Sequence, residues 1–248
     1  MLVALVLVAM VGAGQPAGRV DPILVGQRCL TPAEHVGGIR FDSGSGATLT
    51  GVVLGHGVRG VVMVHGQHGD VCEWLPYARV LVGLGYRILL FDLNGFGASG
   101  TSPDGPAQPH YDLDTAAAVG RLRGFGVARV VLVGSEFGGL AAVLAAADVR
   151  PPVDGVVDLS GPSAVSGMDG LAAAARLRVP ALFVVGEDDP WLGETSQVYR
   201  ADRFGDRRLA VVPGPEHGLN LVDPAANPGA GAVRELVEAF LRAHSGSA

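Results

Sequence analysis

Six short runs of apolar and β-branched residues constrain this chain more than any other feature. They are Gly60–His65 (GVVMVH), Tyr86–Leu93 (YRILLFDL), Ala128–Gly134 (ARVVLVG), Val153–Leu159 (VDGVVDL), Pro180–Gly186 (PALFVVG) and Arg208–Val212 (RLAVV). Near-continuous apolar character over so few residues fits strands buried on both faces, since half-exposed strands alternate. Stretches with helix periodicity lie between them: Glu73–Leu84, a helix capped by Asp112 and running to Leu122, Glu136–Ala147, Met168–Leu177 and Glu194–Ala201. A last helix covers Ala232–Ala243. In the first of these, Leu75, Ala78, Leu81 and Val82 share one side and Gly85 is the stop signal. Strands alternating with helices build a parallel sheet covered on both faces. Gly38–Ser43 and Ala47–His56 precede this pattern around a Ser-Gly-Ser-Gly turn and read as a hairpin. The expectation is an α/β fold with a mostly parallel central sheet of about eight strands and helices on both faces. No linker or repeat divides residues 37–245, which are read as one domain, and the stretch from Leu159 to Pro180 is too short for a cap domain.

Residues 1–13, MLVALVLVAMVGA, are apolar but too few to span a bilayer, which takes about 20. They fit the core of a secretory signal peptide, with Val11-Gly12-Ala13 as the small-residue cleavage signal, although no basic residue precedes them. Residues 1–17 are therefore read as a leader and 18–36 as an N-terminal arm, which makes the mature chain a secreted protein without a membrane span. Cys29 and Cys72 are an even pair, which in an exported chain reads as a disulfide; two small buried thiols are the alternative. All 18 basic residues are Arg, against 24 acidic ones, and they form no basic stripe. That balance speaks against nucleic acid as a partner, because phosphate binding needs clustered cations. A small-molecule substrate or ligand is the expected partner, and nothing in the sequence calls for a cofactor.

The segment Val131–Gly139, VLVGSEFGG, runs a β-branched strand into closely spaced glycines and then directly into a helix. Gly134 and Gly138 let strand and helix approach closely, and the middle one of the three residues between them is pushed into a strained backbone conformation at the sheet edge. Counted from the glycines that residue is Glu136; a register centred on Ser135 would need a glycine at 133, where Val133 stands. Further along, Pro180–Asp189 is a strand ending in Gly186-Glu-Asp-Asp189, and Val212–Gly218 carries His217 on a loop after a strand. Val64-His65-Gly66-Gln67 and Asp92-Leu-Asn-Gly-Phe-Gly-Ala-Ser99 follow two earlier strands.

Together these motifs resemble, in their order, those of the α/β-hydrolase-fold superfamily, whose nucleophile elbow is G-x-Nuc-x-G. The resemblance extends over residues 37–243, and His65–Asp92 is similar to exported bacterial α/β hydrolases of the serine esterase and peptidase type with a Cys before Trp74. It implies Glu136 at the nucleophile position, Asp189 as the acid (Asp188 is the near alternative) and His217 as the catalytic histidine. It also implies an oxyanion hole from the backbone N–H groups of Gln67 and Phe137, a structural role for the Asp92–Ser99 loop, and Cys29 as the partner of Cys72. The serine usual at the elbow is replaced by Glu136.

A glutamate cannot act as a serine does, because it is already an anion and gives His217 no proton to take. The expected resting state is an ion pair between Glu136 and a protonated His217 backed by Asp189. Glu136 can then attack an alkyl carbon as a carboxylate nucleophile, act as a base on water toward a small activated ester, or mark a catalytically silent homologue that binds a ligand or partner. His65 reads as structural, and the spacing of His65, His68 and Asp70 fits no standard metal motif. Trp74 reads as core, whereas Trp191 either lines the site or caps it.

Overall fold

The computed structural model describes residues 29–246; the stretch expected to be a leader (1–17) and the expected arm up to residue 28 lie outside them. A turn of helix, α1 (Pro32–His35), leads into β1 (Gly38–Asp42), β2 (Thr48–Leu54) and β3 (Arg59–Val64). Then α2 (Val71–Gly83), β4 (Tyr86–Phe91), α3 (Tyr111–Arg123), β5 (Arg129–Ser135), α4 (Phe137–Asp148) and β6 (Gly155–Leu159) alternate. A small antiparallel pair, β7 (Ala164–Val165) with β8 (Met168–Asp169), and α5 (Gly170–Arg176) connect β6 to β9 (Ala181–Gly186). The chain finishes with α6 (Leu192–Ala201), β10 (Arg207–Val212), a 3₁₀ helix at Gly218–Val222 and α7 (Ala230–His244).

Eight strands form one sheet in the order β1-β2-β4-β3-β5-β6-β9-β10. The β1–β2 and β2–β4 pairs are antiparallel and all later neighbours are parallel, as the alternation of runs and helices predicts. Side chains of successive strand residues go to opposite faces. Val62 and Val64 of β3, with Val130 and Leu132 of β5, pack under α3, α4 and α5; Val61, Met63, Val131 and Val133 pack under α2 and α7. All eight are at most 1 % exposed, and full burial of such side chains is worth about 1.5–3 kcal/mol each. The inner strands of the parallel part therefore have no polar face, whereas the edge strand β10 leaves Arg208 and Val211 exposed. Short β7–β8 and α5 are all that joins β6 to β9, so the described residues hold no cap domain.

Two local expectations are corrected. Asp112 does not cap α3: the helix starts at Tyr111, and His110 holds the cap position at φ 53° without a side-chain cap bond. The inward carboxylate is Asp114, fully buried. It accepts hydrogen bonds from Ser43 Oγ (2.5 Å), Ser45 Oγ (2.7 Å), and the N–H (2.9 Å) and Nδ2 (2.6 Å) of Asn94. That carboxylate ties the β1–β2 turn to the long loop after β4, a buried charge made tolerable by four donors. In addition α2 begins at Val71 and not at Glu73, because Asp70 Oδ1 caps it by accepting from the Cys72 N–H (2.7 Å).

The order of strands reverses at β3: β4 lies on one side of it and β5 on the other. The carboxyl ends of these strands flank the crevice where open α/β sheets bind ligands. The β3–α2 and β5–α4 turns both open there.

Candidate active site

The β5–α4 turn is as tight as the glycine spacing predicts. A Cβ on Gly134 would stand 2.1 Å from the Gly138 carbonyl oxygen, and one on Gly138 would stand 2.4 Å from the carbonyl oxygens of Val64 and His65. The start of α4 is thus pressed against the end of β3. Between the two glycines Glu136 has φ 53° and ψ −122°, a region that costs a non-glycine residue about 1–3 kcal/mol. Two backbone bonds hold it there: its N–H donates to the Leu159 carbonyl (3.0 Å) and its carbonyl accepts from the Leu140 N–H (3.0 Å). Ser135 is still part of β5 and is 1 % exposed, with an Oγ that finds no hydrogen-bond partner. Its side chain is turned into the protein, away from the crevice.

The histidine and the acid meet at this turn. His217 Nδ1 lies 2.9 Å from both carboxylate oxygens of Asp189. Asp189 is held in turn by Ser160 Oγ (2.6 Å) and by the Trp191 N–H (2.7 Å), and its side chain is fully buried. Neighbouring Asp188 is exposed, and the carboxylate that meets the His217 ring is that of Asp189. The opposite ring nitrogen, Nε2, stands 3.9 Å from Glu136 Oε1. Both of those side chains are about one-quarter exposed, at 27 % and 26 %. Trp191 packs edge-on against the His217 ring (4.5 Å, 87°) and parallel to Phe137 (6.1 Å, 4°), so it lines the site. Any side chain at Gly66 or Gly218 would collide with Glu136, its Cβ lying 2.9 Å from Glu136 side-chain atoms. Both glycines leave the glutamate its room.

Gln67 is exposed in the Gly66–Gly69 turn, which the Gly69 N–H closes onto the Gly66 carbonyl (3.3 Å). Phe137 is the first residue of α4, where backbone N–H groups are unpaired and the helix dipole favours negative charge. His65 is structural: Nδ1 reaches the Gly66 carbonyl (2.8 Å) and Nε2 accepts from the Leu93 N–H (2.9 Å). Burial holds its pKa below the usual histidine value. Asp92 is structural too, its carboxylate accepting from the N–H groups of Val71 (2.8 Å) and Ala98 (2.7 Å).

Sequence reasoning passed over three polar groups around this centre. Ser160 orients Asp189 from the end of β6, and only the fold brings them together. Asp158, at the β6 end and 1 % exposed, packs against Gly139 and Gly161, and burial raises its pKa to about 7. Glu73, in the first turn of α2, is likewise raised to about 7 by burial and then by the charge of Glu136.

The sequence family described as the alpha/beta hydrolase fold matches residues 60–172, from β3 through α5. The chain has the α/β-hydrolase fold. Solved structures agree across almost the whole described fold. The Pyrococcus furiosus esterase Pf2001 superposes with a TM-score of 0.73 at 17% identity, covering 84% of this chain and 92% of that one. A Paleococcus ferrophilus monoacylglycerol lipase gives 0.63 at 18% identity, covering 78% of this chain and 98% of that one. The enol-lactonase from Burkholderia xenovorans gives 0.64 at 17% identity, covering 80% of this chain and all of its own, 100%. A comparison with the curated proteins finds no match. On this fold the Cys29–Cys72 disulfide joins the segment before α1 to the start of α2, with a Cα–Cα distance of 5.8 Å.

Proposed function

We propose that this chain is a secreted hydrolase of small activated esters in which water, held between Glu136 and His217, replaces serine as the attacking group. One observation carries the reading: Asp189 fixes the His217 ring so that Nε2 faces the Glu136 carboxylate across 3.9 Å. That separation is too wide for a direct hydrogen bond and short enough for one water beside the pair to reach both groups. The reacting form is the neutral imidazole, not the protonated ring of the expected resting ion pair: with Nδ1–H donated to Asp189, Nε2 offers a lone pair to one water proton while Glu136 accepts the other. As the water oxygen attacks the ester carbonyl carbon, its proton passes to Nε2. The carbonyl oxygen becomes an oxyanion facing the N–H groups of Gln67 and Phe137, whose helix end favours negative charge. Collapse of the tetrahedral intermediate expels the alkoxide, which leaves as the alcohol with the proton from Nε2, and the acid remains. Glu136 orients the water, His217 is the base and then the acid, and Asp189 keeps the histidine in the useful tautomer. The disulfide supports the extracytoplasmic setting, since such bonds persist in oxidising compartments.

A second reading is favoured by the position of the Glu136 carboxyl against Gly66 and Gly218. There it occupies the mouth of the site, as in a homologue that binds without turnover. Mass spectrometry of protein quenched during hydrolysis of a short-chain aryl ester tests the mechanism. The natural chain is expected to release product with no acyl adduct, and Glu136→Ser to acquire one on residue 136. An acyl adduct on the natural chain contradicts attack by water. A silent natural chain with an active Glu136→Ser variant supports the binding reading instead.

A further inference from the structure

Glu73 is a carboxyl group beside the site that this scheme leaves without a task. It sits one turn beyond the Asp70 cap and folds back under the Gly66–Gly69 turn. A Cβ on Gly69 would stand 2.2 Å from Glu73 Oε2 and 2.8 Å from Oε1. The Gly66 backbone lies near the same carboxyl and partly opposes the rise in its pKa. Oε2 is nevertheless buried and has no hydrogen-bond partner. A carboxylate oxygen in that state is costly, whereas the neutral acid is not.

The charged neighbours point the same way. Asp70 on its own helix and Glu136 on the elbow both bear negative charge toward it. Asp223 and Arg234 border the same small cleft, with Tyr77 between them. Arg234 is engaged elsewhere: its Nε donates to the Val222 carbonyl (2.7 Å) and its guanidinium lies over the Tyr77 ring (5.0 Å). His217, beyond Glu136, is turned to Asp189. No cation among the described residues is bonded to Glu73.

Resting on the hydrolase reading, we propose that Glu73 is a proton-bearing positioning residue, which must be neutral for the Gly66–Gly69 turn to receive an oxyanion at the Gln67 N–H. The protonated acid supports the turn without a charge. Once ionised, it places a negative charge behind the donor and opposes the charge growing on the substrate oxygen. Burial and Glu136 raise its pKa to about 7, so the loss falls near neutral pH. The sign is distinctive: a histidine base makes hydrolysis rise with pH, whereas ionisation of Glu73 makes it fall.

The test is the pH–rate profile of aryl-ester hydrolysis, corrected for buffer, for the full chain and for Glu73→Gln and Glu73→Met. The natural chain is expected to lose rate by roughly tenfold as pH rises through about 7, the size of one added charge a few ångströms from the oxyanion. Both variants are expected to lack that fall. Carbon-13 NMR of the natural chain gives a readout independent of either variant's folding: the Glu73 carboxyl is expected to titrate at the midpoint of the fall. If both variants keep the fall, or lose rate evenly at every pH, Glu73 is merely structural. A Glu73 carboxyl that titrates near the ordinary glutamate value overturns the inference by itself. A natural chain without hydrolysis at any pH overturns the hydrolase reading and this inference together. A hydrolysing chain with an unaltered variant profile removes this inference alone.

Discussion

Asp189→Asn is expected to lower kcat for aryl-ester hydrolysis by about 10²–10⁴-fold while leaving KM and the fold nearly unchanged. The magnitude follows from a tautomer. Asp189 is fully buried and accepts from Ser160 Oγ, the Trp191 N–H and His217 Nδ1. Accepting from Nδ1–H is what leaves the Nε2 lone pair facing Glu136. The Trp191 N–H strictly needs an acceptor while the Ser160 hydroxyl can accept as well as donate, so an asparagine turns its carbonyl oxygen to Trp191 and its NH₂ to the Ser160 side. Its amide NH₂ is then directed at Nδ1 and demands a lone pair there. The imidazole proton moves to Nε2, and the ring presents a donor where the mechanism needs a base. Volume is conserved, so the Trp191 contact with the ring at 4.5 Å persists. KM is spared because the carboxyl is shielded from the crevice. Steady-state kinetics with circular dichroism as the folding control checks the result. An Asp189→Asn variant with the natural rate removes His217 from the mechanism as a base.

Replacing both cysteines, Cys29→Ser with Cys72→Ser, is expected to cost about 3–4 kcal/mol of stability, the loop-closure value for a bridge of this span. The bond closes a sequence separation of 43 residues and joins the segment before α1 to the second residue of α2. Beside it, Arg79 on α2 pairs with Glu34 of α1 (2.8 Å) and donates to the Cys29 carbonyl (3.1 Å). Hydrogen bonding to Arg79, the largest cause, holds the Glu34 pKa down to about 2. These polar contacts lie near the surface, where ion pairs add little, and Leu30 is the buried residue beside them. For a chain of this length the loss corresponds to a melting midpoint lower by roughly 6–15 °C. Reductant is expected to shift the natural chain equally and the double variant not at all. Equal midpoints for the natural chain and the double variant contradict a stabilising bridge.

Much of the fold was legible because burial on both faces leaves a direct trace. A strand such as β3 or β9 has no solvent side, so its residues are apolar throughout and its ends fall where the run stops. The elbow was legible for a different reason. Gly134 and Gly138 are required by backbone-to-backbone distances near 2 Å for any Cβ, and the resemblance to the G-x-Nuc-x-G pattern singles out the middle one of the three residues between them. His217 and Asp189 were legible through their positions after strands, as residues matched to a family pattern.

What stayed hidden depends on contacts distant along the chain. Asp112 and Asp114 are equally plausible at a helix start; only docking of the β1–β2 turn and Asn94 decides that Asp114 turns inward and that no side chain caps α3. The 3₁₀ helix at Gly218–Val222 and the β7–β8 pair are too short to leave a periodic signal. Glu73 reads in sequence as an ordinary acidic residue of a helix's first turn, where the dipole welcomes it. Its burial arises because α2 starts two residues earlier than periodicity suggests and carries the carboxyl beneath the glycine turn. Ser160, at φ 55° after β6, reaches Asp189 only across the parallel sheet.

The central claim is that Glu136 works in catalysis from the nucleophile position. Its most direct test is the buffer-corrected rate of short-chain aryl-ester hydrolysis by the natural chain beside Glu136→Ala. The account predicts measurable hydrolysis by the natural chain and its loss in Glu136→Ala, with the melting midpoint of the variant no lower. A natural chain no faster than buffer, or a Glu136→Ala variant that keeps the natural rate, contradicts it.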